Sequence, residues 1–277
     1  MELQIFENLS TLHRHVADLL YTEFVNSPDG LHIIPTGKTF VTPYKLLRTR
    51  LLKNLTLKSA IDFSSLKLIS VDEYIHDWKV LSSDDNRSFR SYLRPLVQVL
   101  MKLGFVSSNH YFPDTPYGFD YKFSQYELLT RFDELILSLG SSTSMFLGIG
   151  PPNSPHIAFC SPGYATQIGH SWEDIGAYIT PVDTATKIAN QNDGGIYSGN
   201  VPEYAATISA ATLLGLRPKN VYLVAYGNKN LRPLLTKDST DQIDVNAFPP
   251  AILFLLRAQG SRVHIVTDRA TWINATQ

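Results

Sequence analysis

Four short stretches of the chain carry residues able to do chemistry. Asp72 and Glu73 stand directly after the apolar run 66–71. An aspartate there offers either a general base, with a pKa that partial burial raises, or a turn cap. Thr36-Gly37-Lys38-Thr39 combines backbone amides, two hydroxyls and an ammonium just ahead of a helical stretch. That combination suits an anion, and an ordinary strand-to-helix turn is the other reading. It is not a nucleotide P-loop, which needs a longer glycine loop before its lysine. Lys229, after a later apolar run, supplies a second positive charge or is merely solvated.

His156 follows Gly148-Ile149-Gly150-Pro151-Pro152-Asn153-Ser154-Pro155, a turn that leaves an apolar run ending at Leu147. Imidazole gives and takes a proton near neutral pH. A loop histidine that only bonds the backbone is the alternative. Gly150, Asn153, Ser154 and, further on, Ser161 are the residues expected to line the same place. Anion loop, carboxylate and imidazole together suggest proton transfer on a phosphorylated small molecule. No His/Asp/Glu cluster has metal-ligand spacing, so neither a metal nor a cofactor is expected.

The elements that must position these residues read as alternating short strands and helices. Apolar runs at 31–34, 66–71, 144–147, 221–225 and 263–266 predict buried strands. Helical spacing predicts helices at 9–25, with Ser10 as N-cap, and at 43–52, 88–103, 123–139, 204–214 and 251–258. Residues 75–87 read as polar and irregular, and residues 164–200, rich in Gly, Thr, Asn and Asp, as a loop or lid. The alternation implies an α/β fold: one domain over 1–277, with a mainly parallel sheet covered by helices on both faces. In such a sheet the loops 35–39, 72–74, 150–163 and 226–229 converge on one edge, where open α/β sheets keep their ligands.

Composition sets bounds on partners. The 277 residues are 44% hydrophobic and 18% charged, enough for a sizeable core. Lys plus Arg number 24 against 25 Asp plus Glu, which gives no global electrostatic reason to expect nucleic acid or a membrane surface. The one cysteine, Cys160, rules out an intrachain disulfide and fits a reducing cytoplasm. The N-terminus does not read as a secretory signal, and no apolar run reaches the roughly 18 residues of a membrane span.

Taken in order, Pro35-Thr36-Gly37-x-Thr39, Val71-Asp72-Glu73-Tyr74, Asn86-Arg87-Ser88-Phe89, Leu147-Gly148-Ile149-Gly150 and His156-Ile157-Ala158-Phe159-x-x-Pro162-Gly163 resemble the glucosamine-6-phosphate deaminase/isomerase family, a relative of the 6-phosphogluconolactonases. The resemblance runs from about residue 6 to 270. It implies a Rossmann-like fold and a cytoplasmic aldose–ketose isomerisation with loss of ammonia from an amino-sugar phosphate. It also leaves room for an oligomer of identical chains. By the same resemblance Asp72 moves the proton between C2 and C1, beside Glu73. His156 assists ring opening, and Thr36, Gly37, Lys38 and Thr39 hold the phosphate with Lys229.

The chain departs from the family's pattern around the histidine. The loop before His156 is two residues longer, and Ser154 replaces an aspartate. Ser161 stands where a glutamate normally orients and charges the histidine. Lys187 and Asn192 occupy two arginine positions, Lys38 replaces a small residue, and Lys229 falls one residue early. Without the two carboxylates His156 is expected to resist protonation. Glu173 and Asp174 are the candidates to stand in for them. A non-catalytic sugar-phosphate binder and a 6-phosphogluconolactonase-like hydrolase are the other functions in view.

Overall fold

The computed structural model describes residues 1–56, 61–77, 79–114, 127–191, 201–227, 229–236 and 244–276. In chain order the first elements are β1 (Glu2–Phe6), α1 (Leu9–Asn26), β2 (Leu31–Ile34), α2 (Val41–Thr56), β3 (Lys67–Ser70), β4 (Asp72–His76) and β5 (Lys79–Val80). Next come α3 (Phe89–Met101), β6 (His110–Tyr111), β7 (Glu127–Leu128), α4 (Thr130–Ser138), β8 (Ser144–Gly148), α5 (Tyr164–Ile168), β9 (Tyr178–Pro181) and α6 (Thr184–Gln191). The chain closes with β10 (Tyr204–Thr207), α7 (Ala210–Gly215), β11 (Asn220–Ala225), α8 (Arg232–Thr236), α9 (Ile252–Ala258), β12 (Arg262–Asp268) and α10 (Arg269–Thr276).

Seven strands form a sheet in the order β1-β12-β11-β8-β2-β3-β6, with every pairing parallel. Successive side chains along a strand face opposite sides. Ile34, Leu68 and Phe146 therefore join α1, α2 and α3 in one buried cluster. Their neighbours Ile33, Ile69, Met145 and Leu147 join α4, α7 and α9 in another. Each fully buried Leu, Ile or Phe of these clusters contributes about 1.5–3 kcal/mol relative to exposure. The chain winds outward in one direction from β2 and in the other from β8. The β2/β8 boundary is thus the point where strand order reverses, the place ligands occupy in such sheets.

A second sheet, in the order β5-β4-β10-β9-β7, is antiparallel throughout. It corrects several expectations. The helix expected over 204–214 is a strand followed by α7, which starts only after Ser209 caps it with its side chain on the Thr212 amide. Asp72 belongs to a strand rather than a loop, and part of the polar stretch 75–87 pairs as a hairpin. Of the loop or lid expected over 164–200, residues 164–191 carry α5, β9 and α6, and residues 192–200 lie outside the described residues. Of the helix expected at 123–139, residues 123–126 lie outside the described residues, and α4 begins at Thr130. The cap of α1 is Asn8, whose side chain accepts from the Thr11 amide, and not Ser10.

Val71, the single residue between β3 and β4, joins the two sheets. Its amide donates to the Ile34 carbonyl (3.3 Å), and its carbonyl accepts from the Ile208 amide (3.0 Å). Among the described residues no helix is long and apolar enough to cross a membrane, and no group of three metal-ligating side chains gathers.

Candidate functional site

Asp72 sits at the seam between the sheets and is buried. Its Oδ2 accepts from Thr36 Oγ1 (2.8 Å), in the loop that leaves β2, and its Oδ1 from Thr207 Oγ1 (3.1 Å), the last residue of β10. Tyr44 on α2 steadies the first loop by donating to the Pro35 carbonyl (2.7 Å). Thr207 also accepts from the Phe159 amide (3.1 Å), which ties the carboxylate to the His156 loop. Burial pushes the Asp72 pKa up to about 7, the two threonine bonds pull against that rise, and the neighbouring Glu73 adds to it. A carboxylate poised there can both take and return a proton at neutral pH.

Glu73 points to the other face of β4, as alternation along a strand requires. Both of its oxygens are occupied at the start of α3. Oε1 accepts from the amides of Tyr74 (2.8 Å) and Phe89 (2.9 Å), and Oε2 from Ser88 Oγ (2.8 Å) and the Arg90 amide (3.0 Å). A carboxylate at a helix N-terminus satisfies amides that lack an intrahelical partner. This geometry gives Glu73 a capping task in place of the catalytic one expected from its position beside Asp72.

The loop expected to hold an anion opens onto α2. Gly37 precedes a short 3-10 turn, Lys38–Phe40, that runs directly into that helix. Lys38 is exposed, and Thr39 packs near Gly148 at the end of β8. Lys229, after β11, is held down to a pKa of about 8 by burial first and by the charge of Lys38 second. The fold therefore brings the two ammonium groups within each other's field. Lys187, at one of the family's arginine positions, is paired with Glu203. Asn192 lies outside the described residues.

His156 is held chiefly by shape. Its ring lies so close over Gly150 that a Cβ there would come within 2.4 Å of it, so only glycine fits. The Gly150 amide donates to the His156 carbonyl (2.9 Å), and the Phe159 ring stacks at 6.3 Å and 21°. The buried Nδ1 has no hydrogen-bond partner among the described residues. Burial drives the His156 pKa down to about 4; Asp183 opposes the fall and Lys229 adds to it. The ring is consequently neutral at pH 7, with one nitrogen free to accept a proton.

The remaining lining candidates divide. Ser154 is buried, its amide on the Pro151 carbonyl (3.0 Å), whereas Asn153 is exposed. Ser161 donates to Asp183 Oδ2 (3.2 Å). Glu173 and Asp174 are exposed, with Glu173 accepting from Ser171. The carboxylate beside the imidazole is Asp183, whose Oδ2 is 3.8 Å from Nδ1. Cys160 is buried with its thiol on the Ile208 carbonyl (3.3 Å), and burial pushes its pKa up to about 12, so it is no nucleophile. Asp183 and Thr207 are the two site residues that reading the sequence missed. The one signal for Asp183 was its place before Thr184-Ala185-Thr186, a helix-start pattern.

No protein-family model matches the chain. A glucosamine-6-phosphate deaminase from a Geobacillus strain is 25% identical over 249 residues, covering 89% of this chain and 88% of that protein. The fold is shared with a monomeric glucosamine-6-phosphate deaminase at a TM-score of 0.74, with 24% identity and 99% of both chains covered. It is shared also with a 6-phosphogluconolactonase from Shewanella baltica at a TM-score of 0.61, with 17% identity and 97% of both chains covered. The resemblance to the deaminase/isomerase family and its lactonase relatives thus extends over nearly the whole chain.

Proposed function

We propose that this chain is a sugar-phosphate enzyme of the glucosamine-6-phosphate deaminase/isomerase type. The observation that carries the reading is the buried Asp72 carboxylate, gripped by Thr36 of the anion loop and by Thr207, with its pKa raised to about 7. The names and extent of the relatives support it. In this reading Lys38, Lys229 and the backbone of residues 36–39 hold the phosphate. Neutral His156 takes the proton from the anomeric hydroxyl and returns it to the ring oxygen as the sugar opens. Asp72 then carries the C2 proton to C1 while a proton passes from the amine to O1. The resulting C2 imine is hydrolysed by water to a ketose phosphate and ammonia.

The test is incubation of pure protein with glucosamine 6-phosphate, followed by assay of ammonia and fructose 6-phosphate. Turnover absent from an Asp72→Asn variant is the expected result. Equal rates in the two proteins would remove Asp72 from the chemistry.

A second reading, lactone hydrolysis, draws on the neutral His156, which suits a base that activates water. It predicts hydrolysis of 6-phosphogluconolactone that survives Asp72→Asn. Calorimetric binding of either sugar phosphate without turnover identifies a non-catalytic binder instead.

A further inference from the structure

We propose that Asp183 is the positioning carboxylate of His156, holding the ring proton on Nδ1 so that Nε2 is the bare acceptor. The proposal deepens the reading of this site given above. It rests on a pair that the fold brings together across 27 residues of chain: a buried Nδ1 with no hydrogen-bond partner among the described residues and a carboxylate oxygen 3.8 Å from it. That distance is longer than a hydrogen bond. Catalytic contacts are commonly long in the unliganded protein and tighten around substrate.

Asp183 is well anchored for the task. Its Oδ1 accepts from the Thr186 amide (2.9 Å), and its Oδ2 from Thr186 Oγ1 (2.6 Å) and, more weakly, from Ser161 Oγ (3.2 Å). The long Ser161 bond is the one that an approaching Nδ1–H displaces most easily. Ser161, in the loop that carries His156, thus tethers that loop to the carboxylate at the start of α6. A carboxylate on one nitrogen fixes the tautomer of a histidine and stabilises the cation formed when the other nitrogen takes a proton. Two other groups face the ring. Lys229 disfavours the cation, and the Ser154 carbonyl, an acceptor like Asp183, favours it.

The test uses full-length protein labelled with 15N in its histidine rings, and it reads which nitrogen carries the proton at neutral pH. Asp183→Asn keeps an acceptor at the cap of α6, since asparagine caps as well as aspartate, but removes the charge. The unmodified protein should show the Nδ1–H tautomer. The variant should lose that preference with its melting temperature nearly unchanged, and adding Ser161→Glu to it should restore the preference. Where turnover is present, kcat should fall by up to about 10⁴-fold in Asp183→Asn with KM nearly constant, the loss seen when the orienting carboxylate of a catalytic histidine becomes an amide. An unchanged ring spectrum in Asp183→Asn would overturn the proposal and assign the tautomer to the Ser154 carbonyl. Because the spectrum needs no substrate, it separates this outcome from failure of the sugar-phosphate reading.

Discussion

The two titratable groups at the centre of the candidate site, Asp72 and His156, are held in opposite ways. Asp72 is fixed by directed bonds: each of its oxygens has a threonine hydroxyl, one from the loop after β2 and one from the end of β10. His156 is fixed by steric fit, wedged between the bare Cα of Gly150 and the Phe159 ring, with no hydrogen bond to Nδ1 among the described residues. Hydrogen bonds to a carboxylate tune its pKa as well as its position, whereas packing positions a ring but only desolvates it. Burial lifts the carboxylate to near neutrality against the pull of its threonine bonds, and burial drives the imidazole well below neutrality.

The contrast breaks most completely with Asp72→Asn. Turnover should fall by about 10²–10⁴-fold, the usual contribution of a positioned base. The same variant should be more stable than the unmodified protein near neutrality. Between pH 3.8 and about 7 the unfolded chain has released the Asp72 proton while the folded chain keeps it, so the unmodified protein loses stability as the pH rises through that window. The loss approaches about 4 kcal/mol at most, at 1.36 kcal/mol per pKa unit. Melting temperatures of both proteins at pH 5 and pH 8 measure it, and a gap that does not widen with pH would contradict the buried, protonatable aspartate.

On the histidine side the matching variant is Gly150→Ala. The added methyl must push the ring aside, and overpacking of this kind costs about 1–3 kcal/mol. Denaturant midpoints give that cost, and turnover should fall with it. An alanine variant as stable and active as the original would mean that the ring has room to move.

Thr207→Val sharpens the comparison without removing either group. Losing a bond worth about 1.5–3 kcal/mol to the ionised carboxylate raises the Asp72 pKa by about one to two units. The acid limb of the pH–rate profile should then shift to higher pH, and the limb of an Asn153→Ala control, an exposed loop position, should not.

The smallest effect belongs to the anion loop. Phosphate affinity should be greatest between about pH 6, where a phosphate monoester gains its second charge, and about pH 8, where Lys229 loses its own. Lys38→Ala should weaken phosphate binding by about 1 kcal/mol and raise the Lys229 pKa, since the neighbouring charge is gone. Calorimetry across this pH range tests both, and a flat affinity profile would place the phosphate elsewhere.

How much of this was legible depended on what each segment buries. The parallel strands could be read because both their faces are covered, which leaves plain apolar runs such as 31–34 and 144–147. The antiparallel sheet could not. Ala205 and Ala206 pack into the core from β10 yet favour helix intrinsically, so 204–214 reads as one helix until Ser209 is seen to cap α7. Asp72, His156 and the Thr36 loop could be singled out because each directly follows a buried run. Asp183 could not, since its approach to His156 is a tertiary contact across 27 residues and is not set by local sequence. Adjacent Asp72 and Glu73 looked alike until the pleat of β4 sent them to opposite faces.

Val71 sets a mechanical limit on the whole arrangement. Its two backbone bonds, one to each sheet, make it the fulcrum about which one sheet would have to rotate against the other. Thr36 and Thr207 lie on opposite sides of that fulcrum, and both hold Asp72. A shift of one sheet against the other therefore alters the grip on the carboxylate, since one of its two hydroxyl partners comes from each side of the joint. Substitutions at the outer strands β5 and β7 can reshape the small sheet's rim at little cost to the base, while those that change the angle at Val71 detune it directly.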